Sequence, residues 1–357
     1  MKRFAVLLLA ALLLTGCSAQ GPAVPETTAA APETTAVPTT VPETTAATEP
    51  AAITMTFTFA GDCTLGCHTE HSRAGYGFLM TVGEDFDYPF ANVKQWFEAD
   101  DFTMVNLEGV LGDKGSPAGK RYAFRGYGSY TNILTRNSVE AVSLANNHAY
   151  DYGQIGYDET KRLLDEAGVP YAEQNAGRLI TLENGVTVGV YATVYNSIDE
   201  EAMPEGIKAL REQGADIVIY APHWGTEHSF DPTEQQKELG CMAIDAGADI
   251  VYGCHPHVLQ PIEEYKDGVI LYSLGNFAFG GNIYPSDYDT AIIQQEITLE
   301  ADGTVVLGQR NIIPCSLSSM ANRNNYQPTP YEAGSAEYNR VLSKLDGTYD
   351  GPNLPVH

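Results

Sequence analysis

The sequence predicts an α/β fold, preceded by a segment that cannot build a core. Three observations carry this. Short apolar runs of strand length recur from residue 53 onward. Stretches with apolar residues on one helical face lie between them. Most runs end in a polar loop that carries Asp, Glu, Asn or His.

The elements follow in order. Ile53, Met55, Phe57 and Phe59 alternate with Thr54, Thr56 and Thr58, a period of two that reads as a strand ending at Gly61-Asp62. The spacing predicts a helix over 89–99, with Phe90, Val93, Trp96 and Phe97 on one face. Runs at 102–105 and 139–144 precede Asn106-Leu107-Glu108 and Asn146-Asn147-His148. A helix over 154–167 is closed by Gly168. Residues 179–182 and 186–192 flank Glu183-Asn184-Gly185, a hairpin signal. Helices are expected over 200–213 and 233–246. Strands are expected over 216–221, 249–252 and 269–272, leading into His223-Trp224-Gly225, Cys254-His255-Pro256-His257 and Gly275-Asn276. A last hairpin joins 291–299 to 304–307. Beyond about 320 the periodicity fades, and the tail at 321–357 is expected to be peripheral.

The first 52 residues read differently. Residues 4–14 are apolar and follow Lys2 and Arg3; they are too few to span a bilayer but suit a signal peptide. Leu14-Thr15-Gly16-Cys17 is similar to a bacterial lipoprotein box, so residues 1–16 are expected to be removed and Cys17 lipidated. The alternative is an ordinary cleavage site beside a chance cysteine. Residues 17–52 repeat Pro-Glu-Thr-Thr at Pro25, Pro32 and Pro42 and contain no aromatic, so they read as a disordered tether. Extended, it would reach about 100 Å. The expected location is extracytoplasmic, on a lipid anchor, with the folded domain at 53–320. Export permits disulfides. Cys63–Cys67 and Cys241–Cys254 are possible pairs; small buried thiols are the alternative.

Charge narrows the partners. The chain has 20 Lys and Arg against 46 Asp and Glu, a net −26. That disfavours nucleic acid, since nothing offsets repulsion from phosphates. Any anionic substrate needs a local cationic patch or metal ions. Lys120, Arg121 and Arg125 form one such patch, and Arg125 could grip a carboxylate or phosphate in bidentate fashion.

Asp62, Asn106, Glu108, Asn147, His148, His223, His255, His257 and Asn276 each lie just past the end of an expected strand. In an open α/β sheet those ends share one edge, where ligands bind. Carboxylates, an amide and imidazoles make a mixed O/N donor set that suits Mn, Fe or Zn. Asp62, Glu108, Asn147, His223, His255 and His257 are the candidate ligands, enough for one or two divalent ions sharing a carboxylate. His148 is the candidate general acid toward a leaving group. Asn106, Asn146, Arg125, Trp224 and Asn276 are candidate substrate contacts. Taken singly, each has a plainer reading: a turn residue, a solvated loop acid, a structural imidazole.

Together the motifs Gly61-Asp62-Cys63-Thr64, Asn106-Leu107-Glu108, Ala145-Asn146-Asn147-His148, His223-Trp224-Gly225-Thr226-Glu227, Gly253-Cys254-His255-Pro256-His257 and Leu274-Gly275-Asn276-Phe277 resemble the bacterial CapA family of capsule-synthesis proteins linked to poly-γ-glutamate. The resemblance runs in order over about residues 55–280. It implies a calcineurin-like metallophosphoesterase sandwich, two β-sheets flanked by helices, rather than the flat doubly wound sheet that the pattern suggests. It implies that Asp62 is the first metal ligand, Glu108 the bridging carboxylate, and Asn147, His223, His255 and His257 the remaining ligands. That superfamily usually has Asp-X-His at the first motif; here Cys63-Thr64 follows Asp62, so one ligand is missing or is replaced by His68, His71 or water. The implied role is a metal-dependent phosphoesterase-like step on an anionic envelope polymer or its phosphorylated precursor, beside membrane-embedded capsule synthesis subunits. A non-catalytic polymer tether and a general extracytoplasmic phosphoesterase are the alternatives.

Overall fold

The structure is a computed structural model that describes residues 51–68 and 75–355. The signal peptide, Cys17, most of the expected tether and His71 lie outside the described residues. No helix among the described residues is long and apolar enough to cross a membrane.

Two large sheets form the domain. The first runs Thr329–Pro330, Val305–Ser316, Asp289–Leu299, Ile53–Cys63, Phe102–Leu107, Ala141–Ser143, Tyr171–Ala172. The second runs Leu259–Tyr265, Gly268–Leu274, Ile250–Tyr252, Ile217–His223, Thr187–Val194, Ala176–Thr181. Each has four adjacent parallel strands and antiparallel strands outside them. A small third sheet joins Cys67–His68, Phe124–Gly126 and Val110–Leu111.

Alternation along the strands explains the layers. Met55, Phe57, Phe59, Phe102 and Met104 of the first sheet meet Val188, Val190, Ile217, Ile219, Ile250 and Leu271 of the second in one buried cluster. The opposite faces are covered too. Val105, Leu107 and Ile292 pack with Phe90, Phe97, Tyr130 and Leu164, whereas Val218, Tyr220, Val251 and Ile270 pack under Met203, Ile207, Leu239 and Ala243. Strands covered on both faces have no polar side to show, so they read as continuous apolar runs. The expected two-sheet sandwich with outer helices is what the chain forms, and the flat single sheet is overturned.

The helix at Gly153–Ala167 ends where Gly168 turns left-handed at φ 72°. Glu234–Asp245 starts on a capping box in which Thr233 and Gln236 satisfy each other's backbone amides. The helix expected over 89–99 is corrected: only Lys94–Phe97 is α-helical, after a short 3-10 turn at Tyr88–Phe90. Its apolar face is still buried, so the periodicity located the packing but overstated the helix. The described tail is not peripheral either. Helix Ala336–Leu345 sinks Val341 and Leu345 into the inter-sheet cluster. Arg340 grips Asp289 with two 2.7 Å bonds, and the buried Lys344 reaches Asp287 and Asp289 at 2.7 and 2.8 Å. Cys63, Cys67, Cys241, Cys254 and Cys315 are free thiols, the buried-thiol alternative.

One carboxylate near the strand starts makes stability pH-dependent. Glu140 accepts a 2.7 Å bond from the Thr103 amide, yet burial pushes its carboxyl up to about 7. The folded state therefore keeps a proton that the unfolded chain releases near pH 4.5, and this contribution is lost as pH rises through 7. Glu140→Gln is expected to stabilise the protein at pH 8 by on the order of 1 kcal/mol, allowing for partial solvent screening, and far less at pH 5. Thermal unfolding at the two pH values reads this; equal shifts at both would contradict it.

Candidate metal centre

Both parallel strand sets end at the same rim. Asp62 closes Ile53–Cys63, and its backbone is laced to the other sheet's loop: its amide donates to Gly275 at 2.8 Å and its carbonyl accepts from Phe277 at 2.8 Å. Gly61 permits that approach, since a Cβ there would stand 2.0 Å from the Gly275 oxygen. His223 ends Ile217–His223, and the Cys254 backbone bonds to Pro222 and Trp224 at 3.0 and 2.9 Å, bringing the His-X-His loop alongside. His255 and His257 hold φ values of 103° and 59°. Left-handed backbone at two histidines costs about 1–3 kcal/mol each and persists only where the surroundings enforce it.

Glu108 is the hub. Its Oε1 lies 3.7 Å from His223 Nε2, 3.9 Å from His257 Nε2 and 3.9 Å from His148 Nε2. It is fully buried, and neither carboxylate oxygen has a hydrogen-bond partner. Asp62 Oδ2 is 3.4 Å from His257 Nδ1 and accepts from the His255 amide at 3.4 Å. His255 Nδ1 is 3.1 Å from His223 Nε2, which is 2.8 Å from Asn147 Oδ1. Six residues expected as ligands, spread over nearly 200 positions, thus converge.

The electrostatics suit a missing cation. Burial pushes the Glu108 carboxyl up to about 8, against the pull of His257. Burial also opposes charge on His257, but Glu108 and Asp62 lift it to about 10. Burial, with neighbouring imidazoles, drives His223 well below the usual range and His255 down to about 3, so both are neutral and able to donate a lone pair. Orphaned carboxylate oxygens near the neutral imidazoles of His223 and His255 fit a divalent ion of the Mn, Fe or Zn kind. His257 Nδ1 is held 2.9 Å from Asn276 Oδ1, which turns Nε2 toward Glu108.

The expected substrate contacts sort differently. Asn106 is buried; its amide donates to Asp62 at 2.8 Å and its oxygen accepts from Asn146 at 3.1 Å. Asn146 also donates to Leu107 O at 2.9 Å and accepts from the His148 amide at 3.1 Å. Both hydrogen-bond to the candidate residues around them. Trp224 is corrected outright: it is 1% exposed, stacked against Tyr272, with its indole N–H on the Tyr272 carbonyl at 2.9 Å. Arg125 is spent on the carbonyls of residues 113–115 and on the Tyr152 ring, 3.4 Å beneath its guanidinium. Of the basic trio, Lys120 is the member at the centre, reaching the Asn147 carbonyl at 2.8 Å, His148 Nδ1 at 3.3 Å and the Asp151 carboxylate. Asp151 was not anticipated; it sits 2.8 Å from His148 Nδ1. His68, offered as a replacement ligand, has its ring edge-on to Tyr122.

A cavity of about 220 Å³ opens at the centre, lined by Tyr122, Phe124, His148, Glu227, His257 and Asn276 among others. Rings back the imidazoles: Phe124 lies 4.3 Å from His148, Tyr195 4.9 Å from His255 and Phe279 5.3 Å from His257. A larger depression of about 680 Å³, lined by Arg211, Asp249 and Lys266, contains none of the candidate residues.

The family described as Bacterial capsule synthesis protein PGA_cap matches residues 56–281, a span holding every one of these side chains. The chain belongs to that family. The PGA_cap match includes the Asp62, Glu108 and His-X-His motifs on which the resemblance to CapA rests. The PGA biosynthesis protein CapA of Bacillus subtilis is 29% identical over 315 residues, covering 82% of this chain and 77% of its own. The capsule biosynthesis protein CapA of Bacillus anthracis is 29% identical over 319 residues, covering 82% and 72%. Among solved structures, the calcineurin-like phosphoesterase YfkN from Bacillus subtilis is 16% identical with a TM-score of 0.43, covering 83% of this chain and 98% of that one.

Proposed function

We propose that this PGA_cap protein is an extracytoplasmic, lipid-anchored accessory of capsule polymer synthesis that works through a divalent-metal centre of phosphoesterase type. The observation that carries it is Glu108: a fully buried carboxylate, unpartnered at both oxygens, ringed by His148, His223 and His257. The ion would be Mn, Fe or Zn, held by Asp62, Glu108, Asn147, His223, His255 and His257. Such an ion, when bound, polarises a phosphoryl oxygen and acidifies a water. The substrate is an anionic envelope polymer or its phosphorylated precursor, and the partners are the membrane-embedded capsule synthesis subunits.

The chain's own residues do the rest. Asp151 accepts from His148 Nδ1, which leaves Nε2 facing the centre. Burial holds His148 below the usual imidazole range even with Asp151 beside it. His148 is therefore neutral at rest and takes a proton from solvent at Nε2, which it then gives to a leaving group as the expected general acid. Lys120 supplies positive charge next to it. The buried Phe124 and Phe279 pack against His148 and His257 and fix their rings.

A second reading, a non-catalytic polymer tether, rests on Thr64, which occupies the place of the usual first-motif histidine. The experiment uses the purified full chain loaded with Mn²⁺ and an activated phosphodiester. Turnover that falls about 10²–10⁴-fold in His148→Ala, with metal content unchanged, supports the catalytic reading. Metal without turnover in the wild type, together with binding to poly-γ-glutamate, supports the tether. A wild-type chain that takes up no metal overturns both.

A further inference from the structure

Thr64 leaves the centre one donor short, and its hydroxyl is buried without a partner. His68 is in neither group of converging donors, and its ring stands edge-on to Tyr122. A carboxylate arrives from the opposite half of the molecule. Glu227 lies four residues beyond His223, in the turn held by the His228 amide on the Pro256 carbonyl at 2.8 Å. One oxygen of Glu227 and one nitrogen each of His255 and His257 lie within 4.8 Å of one another. Asp62, Glu108 and His257 form a second group of the same size. The two groups share only His257. Asp62 and Glu108 are fully buried, whereas Glu227 is half-buried and lines the cavity.

We infer that Glu227 is a metal ligand and that, with His255, it holds a second ion on the cavity side of the Asp62–Glu108 site, His257 giving its one free ring nitrogen to one of the two ions. This rests on the metal reading above. The chemistry is that of imidazole and carboxylate, donors that hold Mn, Fe or Zn and keep positions open for water or substrate. The unpartnered Glu108 oxygens stand next to His257 and point to positive charge in the same space, independently of Glu227. A carboxylate from the His223 loop thus adds a donor to the centre that the first motif does not supply.

The test is metal stoichiometry by mass spectrometry, with Mn²⁺ paramagnetic resonance as a second readout. It uses the full chain as wild type, Glu227→Gln and Asp62→Asn, each incubated with Mn²⁺ and freed of excess. Glu227→Gln changes one atom on a half-buried rim residue, and matched thermal unfolding checks that it is folded. The expected result is two ions per wild-type chain, with a spin-coupled signal, and one ion with an uncoupled signal in Glu227→Gln. Two ions in Glu227→Gln, or a single wild-type ion whatever Glu227 does, overturns the second site while leaving the metal reading intact. A wild-type chain empty of metal overturns the metal reading itself. Asp62→Asn retaining both ions overturns the division of the centre into two groups.

Discussion

Glu108→Gln is expected to remove the ion from the inner site and, in metal-free protein, to raise stability. Both follow from one feature. The carboxylate is fully buried and hydrogen-bonds to nothing. An ionised carboxylate in such a place costs several kcal/mol unless a cation compensates. Its carboxyl is accordingly pushed up to about 8 by burial. The folded state holds a proton that the unfolded chain gives up near 4.5, so stability falls as pH rises through that interval. Glutamine has nearly the same shape and never charges. Chelator-treated Glu108→Gln should exceed chelator-treated wild type by on the order of 2–4 kcal/mol at pH 8, read as a rise of several degrees in Tm, with the gap closing toward pH 5. Saturating metal should reverse the order, since binding at a thousand times Kd adds about 4.1 kcal/mol to the wild type alone. A variant less stable than wild type in chelator at pH 8 would mean that Glu108 is held by something other than an ion.

Gly61→Ala should be severely damaging to both stability and the metal centre. The added carbon would stand 2.0 Å from the Gly275 oxygen and 2.8 Å from the Leu274 oxygen, both backbone atoms with no rotamer to yield. Relief requires the first strand to move off the Gly268–Leu274 end, breaking the two 2.8 Å bonds that tie Asp62 to Gly275 and Phe277. A loss above 4 kcal/mol is expected, together with at least a tenfold weaker grip on metal as Asp62 leaves His257. Gly185→Ala is the control. Its backbone is left-handed, at φ 88°, but nothing lies within 4 Å of the added carbon, so it should cost only about 1 kcal/mol. Denaturant unfolding of the pair measures the difference; similar losses would show that the close approach at Gly61 is not tight.

Much of the site was legible before folding because its donors follow strands. A strand end needs no distant information to be recognised, and Asp62, Glu108, Asn147, His223, His255 and His257 each announce themselves as the odd polar group after an apolar run. Partners that come from elsewhere were harder. Asp151 stands three residues past His148 and reads as a turn residue. Glu227 was quoted within its motif but carries no local sign of facing His255. Trp224 and Arg125 failed in the other direction. Each is a residue type that often meets ligands, and only packing against Tyr272 and Tyr152 reveals that its capacity is already used. The short strands Leu259–Tyr265 and Phe124–Gly126 lacked clear alternation, the first because Pro261 interrupts an edge strand.

By itself the sequence determined the alternation of elements, the placing of candidate donors at strand ends and the absence of a usual histidine at Thr64. These are properties of residue order, and local periodicity suffices to read them. Only the tertiary structure decided that two sheets, not one, bring their ends together, that Glu108 is left without partners, and that Glu227 faces the His-X-His loop. Those outcomes depend on which buried faces meet and on which backbones approach closely, and burial and close approach are set by the whole chain at once.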